Sequence, residues 1–187
     1  MGGNRPAPLR WVDCRISRNV ILDLGRSQPT GRTLGWGLGS SDWDGGVIEG
    51  NLIAHQPRER IRNVRGLLVR SSGEEEGVHV RNLLVRNNVF HGLKNAKYAI
   101  GFEGSGQIGG YEAPLVQFDG PLEGITFRNN VYDSGEREGR WFRRGREGLS
   151  FEEWVGLTGE TGAKKEKLTF ADPTRNIERY MEHLGGE

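Results

Sequence analysis

Four short segments of the chain repeat one arrangement of apolar and polar positions around an asparagine. They are residues 16–21, 48–53, 85–90 and 127–132, anchored on Asn19, Asn51, Asn88 and Asn130. An apolar residue stands three positions before each anchor and two more follow it, while the two residues just before it are polar or glycine. Alternation of this kind is the signature of a strand with one buried face, and the asparagine marks a turn into a second strand. A second motif lies between the anchors, at residues 35–41, 66–72 and 99–105, aligned without gaps, with a fourth copy near Trp141 and Phe142. Each repeat therefore predicts at least two short strands ended by turn residues.

Anchor spacings of 32, 37 and 42 residues separate two repeat architectures. A propeller blade runs about 40–45 residues with a recognisable closing signature, which is not seen here. A solenoid tolerates variable spacing, because its strands stack at ~4.8 Å and extra residues leave as loops. Stacked copies of the anchor would form an amide ladder, each asparagine turning inward at a bend. The competing explanation is chance recurrence of asparagine in turns. The alternation predicts inward stacks Ile16–Ile48–Val85–Phe127 and Cys14–Gly46–Leu83–Ile125, with Cys14 a small buried apolar residue rather than a nucleophile. It predicts an outward row Ser17–Glu49–Arg86–Arg128. Trp36 falls on an inward position.

The tail changes period. Ser150 and Glu153 have capping-box spacing, so a short helix should begin there with Trp154, Val155 and Leu157 as apolar cover. Asp172 and Pro173 can start a second helix. Its apolar face would be Ile177, Tyr180, Met181 and Leu184, and Gly185 would stop it. Such helices suit the covering of a solenoid's end. Before Cys14 only a short segment precedes the first repeat, which predicts an upstream domain or partner at that open end.

Composition narrows the picture. The chain has 187 residues, the size of one domain, and 30 glycines, about twice the usual share. Its 26 basic and 25 acidic residues nearly cancel, which removes the electrostatic argument for nucleic acid. A single cysteine excludes an intramolecular disulfide and a multi-cysteine zinc site. No apolar run is long enough to insert in a membrane, and residues 1–9 carry no apolar core of a signal peptide.

The segments LLVRNNVFHG (83–92) and ITFRNNVYDS (125–134) resemble rungs of right-handed parallel β-helix proteins of the pectin-lyase-like superfamily. Trp154, FADPTR (170–175) and a last helix ending at Gly185 resemble the C-terminal part of bacterial secreted members. The resemblance implies an all-β chain, a right-handed parallel β-helix of about four coils with a short helical cap. It divides the chain into an extension at 1–13, coils at 14–148 and a capping tail at 149–187. It also implies an extracellular or cell-envelope setting and an acidic polysaccharide as partner, bound or cleaved by β-elimination at a uronate. Such motifs specify fold far better than activity.

Lyases of that superfamily use an arginine or lysine base, often with calcium held by acidic residues. On the outward row, Arg86 and Arg128 are the candidates to clamp a carboxylate or act in catalysis, with Glu49 beside them. The bland reading is an exposed charge ladder. His91 and Asp133 align three residues after their anchors, with His55 one position further along its own coil. A His–Asp pair serves as a general base or as metal ligands, or merely as solvated turn residues. Lys97 is a candidate base on a loop, and Glu103 lies outward nearby beside Tyr98 and Lys94. Asp42 and Asp44 suggest calcium, yet their spacing matches no calcium loop, so no cofactor is assigned. Trp36, Trp43 and Tyr111 are candidates to stack on sugar rings. The arginines at 137, 140, 143, 144 and 146, interleaved with Trp141 and Phe142, suit a polyanion or a solvated loop. The competing functions are a lyase-like enzyme, a noncatalytic glycan-binding module, and a structural solenoid of a larger surface protein.

Overall fold

A computed structural model describes residues 11–22, 34–55, 63–71, 80–92 and 114–168. The strands come in threes. The first set is β1 (Trp11–Ser17), β2 (Val20–Leu22) and β3 (Leu34–Ser41). The second is β4 (Trp43–Glu49), β5 (Leu52–His55) and β6 (Asn63–Arg70). The third is β7 (Arg81–Arg86), β8 (Val89–Gly92) and β9 (Val116–Asp119). The fourth is β10 (Ile125–Arg128), β11 (Val131–Ser134) and β12 (Phe142–Arg144). Then follow β13 (Glu147–Leu149), helix α1 (Phe151–Thr158) and the short β14 (Lys164–Lys165).

Each set deals one strand to each of three sheets. The first sheet is β1-β4-β7-β10, the second β2-β5-β8-β11-β14, the third β3-β6-β9-β12-β13. All pairings are parallel except that of β13, which folds back on β12. The chain is thus mostly β, built of stacked parallel sheets that do not close, an arrangement consistent with a solenoid.

The inward stacks follow from the alternation. Ile16, Ile48, Val85 and Phe127 lie in one register column, and Cys14, Gly46, Leu83 and Ile125 in another. The second sheet adds Ile21, Ile53, Phe90 and Tyr132, and the third Leu38, Leu67, Val116 and Phe142. Most of these are fully buried; Cys14, Ile16 and Ile21, all in the first set, are only partly so. Phe90 stacks on Tyr132 with ring centres 5.4 Å apart.

The third sheet departs from the expected register. Leu38 lies opposite Leu67, not Val69, and the next partner of β6 is β9. Residues 99–105, expected there, lie outside the described residues. A shift of two residues keeps every side chain on its own face, so period two does not tell the registers apart; packing of Leu67 between Leu38 and Val116 does.

The far end of the core is closed by α1. Ser150 Oγ accepts from the Glu153 N–H at 3.2 Å, and the Ser150 N–H donates to Glu153 Oε2 at 2.7 Å, the expected capping box. Gly159 ends the helix in the left-handed region. Trp154 stacks on Phe142 at 4.8 Å and meets Phe127 edge-on at 5.0 Å, so one indole covers the last turn of the core. Leu157, in contrast, faces solvent. The second expected helix, at 172–184, lies outside the described residues.

The anchors form the ladder. The N–H and Nδ2 of Asn19 donate to Asn51 Oδ1 at 3.0 and 2.9 Å. Asn51 donates likewise to Asn88 at 3.0 and 2.9 Å, and Asn88 to Asn130 at 2.9 and 3.0 Å. Each buried Nδ2 also donates to a carbonyl one coil back: Ile16 for Asn51, Ile48 for Asn88, Val85 for Asn130. Before each anchor stands a residue with φ between 52° and 61°: Arg18, Gly50, Asn87 and Asn129. That left-handed step makes the bend, and glycine and asparagine adopt it at least cost.

The ladder ends on Glu160. Thr161 bridges to Arg128 and Lys164 pairs with Val131, so Ala163 falls opposite Asn130 and offers no amide. Glu160 Oε1 takes the place of the missing acceptor, receiving the Asn130 N–H at 3.2 Å and Nδ2 at 2.7 Å. Oε2 accepts from the Tyr132 hydroxyl at 2.8 Å. Burial pushes the Glu160 carboxyl above its ordinary range, against the pull of these donors. Gly162 continues the left-handed column, and a Cβ there would lie 2.0 Å from Asn129 Oδ1.

Two outcomes follow. Asn88→Ala orphans the buried N–H and Nδ2 donors of Asn51 and removes the Nδ2 donor from Asn130 Oδ1 and the Ile48 carbonyl, and should cost about 3 kcal/mol or more in urea unfolding. Asn19→Ala, at the exposed end, should cost under about 1 kcal/mol, because water replaces its bonds. Because the folded chain keeps the Glu160 proton to higher pH than the unfolded chain does, unfolding free energy should fall as pH rises from the ordinary carboxylate range through the raised value. In Glu160→Gln, which retains an acceptor for Asn130, that decline should vanish from the stability profile.

Candidate functional site

The outer face of the first sheet carries the predicted charge row. Ser17, Glu49, Arg86 and Arg128 occupy successive positions of one register column. The Glu49 carboxylate lies between two guanidiniums. It accepts from Arg86 Nε at 2.8 Å and lies 2.7 Å from Arg86 Nη2, and it also pairs with Arg15. The hydrogen bond from Arg86 leads in holding its carboxyl below the usual range. Arg128, next to Arg86, is exposed and has no ion pair among the described residues. At the strand entrance, Asp44 pairs with Arg81 and accepts from Asn82 Nδ2 at 3.0 Å.

A second column of left-handed residues shapes that entrance. Asp13, Gly45, Asn82 and Gly124 all have positive φ, and the pairing steps over the first three. The left-handed residues stack like the anchors' own bends and interrupt the pairing at the start of the sheet without shifting its register. Their signal was present in the sequence as an Asp, Gly, Asn or Gly just before each inward residue of the Cys14 column.

His91 and Asp133 come together as their alignment predicts. They pair in register on β8 and β11, with Nδ1 3.2 Å from Asp133 Oδ2. Their setting is not that of solvated turn residues. His91 is only 5% exposed, and the Leu168 N–H donates to Asp133 Oδ2 at 2.8 Å. Leu168 also packs with Leu52, Ala54 and Val89 over the outer side of the second sheet. The pair is therefore roofed by the tail, and a polymer lying on the first sheet does not reach it. His55 lies opposite Gly92, one position beyond this row. Lys97 and Glu103, with Lys94, Tyr98 and Tyr111, lie outside the described residues.

The aromatic candidates separate. Trp43 is buried, whereas Trp36, expected inward, is 49% exposed. Trp36 pairs in register with Arg65, whose half-buried guanidinium bonds Gln117 Oε1. Gln117 Nε2 in turn donates to both Asp119 oxygens at 3.0 Å. Desolvation lowers the Arg65 pKa, with Arg143 adding to the effect. Sequence reasoning missed this group, because the alternation was read straight through Gly37, where the β3–β6 pairing is interrupted, and Arg65 stands just before the aligned motif at 66–72. In the arginine-rich stretch, Trp141 and Phe142 are core residues, so no aromatic platform accompanies those arginines.

Asp42 and Asp44 do not make a calcium site together. Asp42 is buried, and Asp44 is engaged by Arg81 and Asn82. Among the described residues, no group of three or more His, Cys, Asp or Glu side chains is placed to hold a metal. No helix among them is long and apolar enough to cross a membrane.

The roof over His91 can be opened selectively. Asp133→Ala removes a hydrogen bond to a carboxylate, worth about 1.5–3 kcal/mol, so exchange of the Leu168 amide should accelerate by about tenfold or more. Amides of the Asn ladder should keep their protection in the same hydrogen-exchange experiment. No family model, no curated protein and no solved structure matches the chain.

Proposed function

We propose that the chain is a right-handed parallel β-helix module that holds an acidic polysaccharide on the outer face of its first sheet without cleaving it. The hand follows from the strong preference of parallel crossover connections for right-handed turns. The observation that carries the binding reading is the column Glu49–Arg86–Arg128. Glu49 compensates Arg15 and Arg86, and Arg128 stands beside Arg86 as a second, exposed guanidinium. Adjacent guanidiniums on parallel strands repel, and a carboxylate-bearing chain laid across the strands relieves that repulsion through charge-assisted hydrogen bonds.

Elimination has less support. Among the described residues this face carries no lysine and no histidine, Arg86 is held by Glu49, and His91 lies under the tail on another sheet, so an arginine base here would have to be Arg128. Holding a carboxylate is therefore better supported than removing a neighbouring proton.

The test combines two measurements on the full chain. Binding to pectate, alginate and a glycosaminoglycan is followed by calorimetry at low and high salt, and unsaturated uronide is followed by ultraviolet absorbance with and without calcium. Binding to at least one polymer should weaken about tenfold in Arg128→Ala, weaken with salt, and proceed without new absorbance. Absorbance that disappears in Arg86→Ala or Arg128→Ala would establish a lyase instead. Absence of binding to all three would leave the face a charge ladder on a structural solenoid.

A further inference from the structure

The two ends of the stack are unlike. The far end is covered by Trp154, by β13 and β14, and by Glu160, which satisfies the last amide. At the near end, among the described residues, the inward columns are less sealed. Ile16 and Ile21 are only partly buried where their column partners Ile48 and Ile53 are fully so. Among the described residues, β1, β2 and β3 each form the edge of their sheet.

The ladder shows what chemistry is missing there. Every later rung receives an N–H and an Nδ2 at its Oδ1 from the rung before it. Every later rung also donates its second Nδ2 hydrogen to a carbonyl of that preceding coil. Asn19 does neither. Its Nδ2 turns back to its own Ser17 carbonyl at 3.0 Å, and the residue is exposed where Asn51, Asn88 and Asn130 are 0% exposed.

We infer that the near rim is a docking surface for one further parallel coil of the same repeat, with an asparagine at its first bend. The rim is continuous with the coil–coil interfaces already formed, and it repeats their register columns. An incoming asparagine would donate its N–H and Nδ2 to Asn19 Oδ1, and the carbonyl before its bend would receive the Asn19 Nδ2. A second copy meeting the rim by two-fold symmetry does not match. It would run antiparallel to strands phased for parallel partners, and it would not continue the register columns. The inference is independent of the glycan reading.

The test extends the full chain. A copy of residues 43–79 is placed immediately before residue 10, so that the copied Asn51 sits one rung ahead of Asn19. The melting temperature should rise by about 5 °C or more, and the Asn19 amide should gain at least about tenfold exchange protection. The same extension carrying Asn51→Ala in the copied coil should lose most of both gains. A folded extension that leaves both readouts unchanged, or one equally effective without the asparagine, overturns the inference. Should the extension fail to fold, a peptide of residues 43–55 added to the native chain decides. Protection of β1 amides that is lost in the Asn51→Ala peptide supports the docking, and no protection overturns it. A native dimer by light scattering whose dissociation on dilution deprotects the Asn19 and β1 amides would assign the rim to a second copy and also overturn it.

Discussion

One chain of side-chain amides holds the phase of the whole molecule. Starting from Asn19, the amide oxygens of Asn51, Asn88 and Asn130 each receive two donors from the coil before, and the last donors fall on Glu160. Buried polar groups are costly unless paired, so the ladder is stable only when every bend lies directly over the next. That condition propagates. The first and second sheets flank the bend, and a slip of one residue in the first would carry Ile48, Val85 and Phe127 to the outside and Glu49 and Arg86 into the core. The differences in repeat length fall elsewhere in the sequence, since the segment around each anchor keeps one length.

The same constraint accounts for the closure of the far end. A ladder of identical amides has no natural last member, since its final donors are always left over. Here the chain returns after α1 and places a carboxylate where an amide would stand, while the same carboxylate accepts the Tyr132 hydroxyl. Trp154 covers the aromatic end of the core at the same level. Polar closure and apolar closure are supplied by one short segment, within seven residues of each other.

Stacking also sorts the chemistry by face. In-register columns bring Glu49, Arg86 and Arg128 together on an open surface. The same parallel register brings His91 to Asp133, but on a sheet whose outer side is covered by Leu168 and its apolar neighbours. Two motifs that look alike in the sequence, each an alignment of chemically capable residues across adjacent repeats, thus have opposite access to solvent. Trp36 and the Arg65–Gln117–Asp119 network occupy the third sheet, away from both.

Periodicity made much of this legible from residues alone. Alternation over four repeats is enough to place Ile16, Ile48, Val85 and Phe127 inward and the charge row outward, because side chains of a strand alternate by necessity. The anchor asparagines and the Ser150–Glu153 capping box are local patterns with local causes. Glu160 carries no such signature: its role depends on a partner thirty residues earlier in the sequence, reached only once α1 has turned the chain back. The register of the third sheet was likewise not legible, since a shift of two residues keeps every side chain on its face and only packing across the core tells the two registers apart. The repeat, the bend and the inward columns can be read from the residues alone, because they depend on near neighbours and period two. Which columns are open, which are roofed and where the ladder ends emerge only in the folded chain, because they depend on what distant segments pack over them.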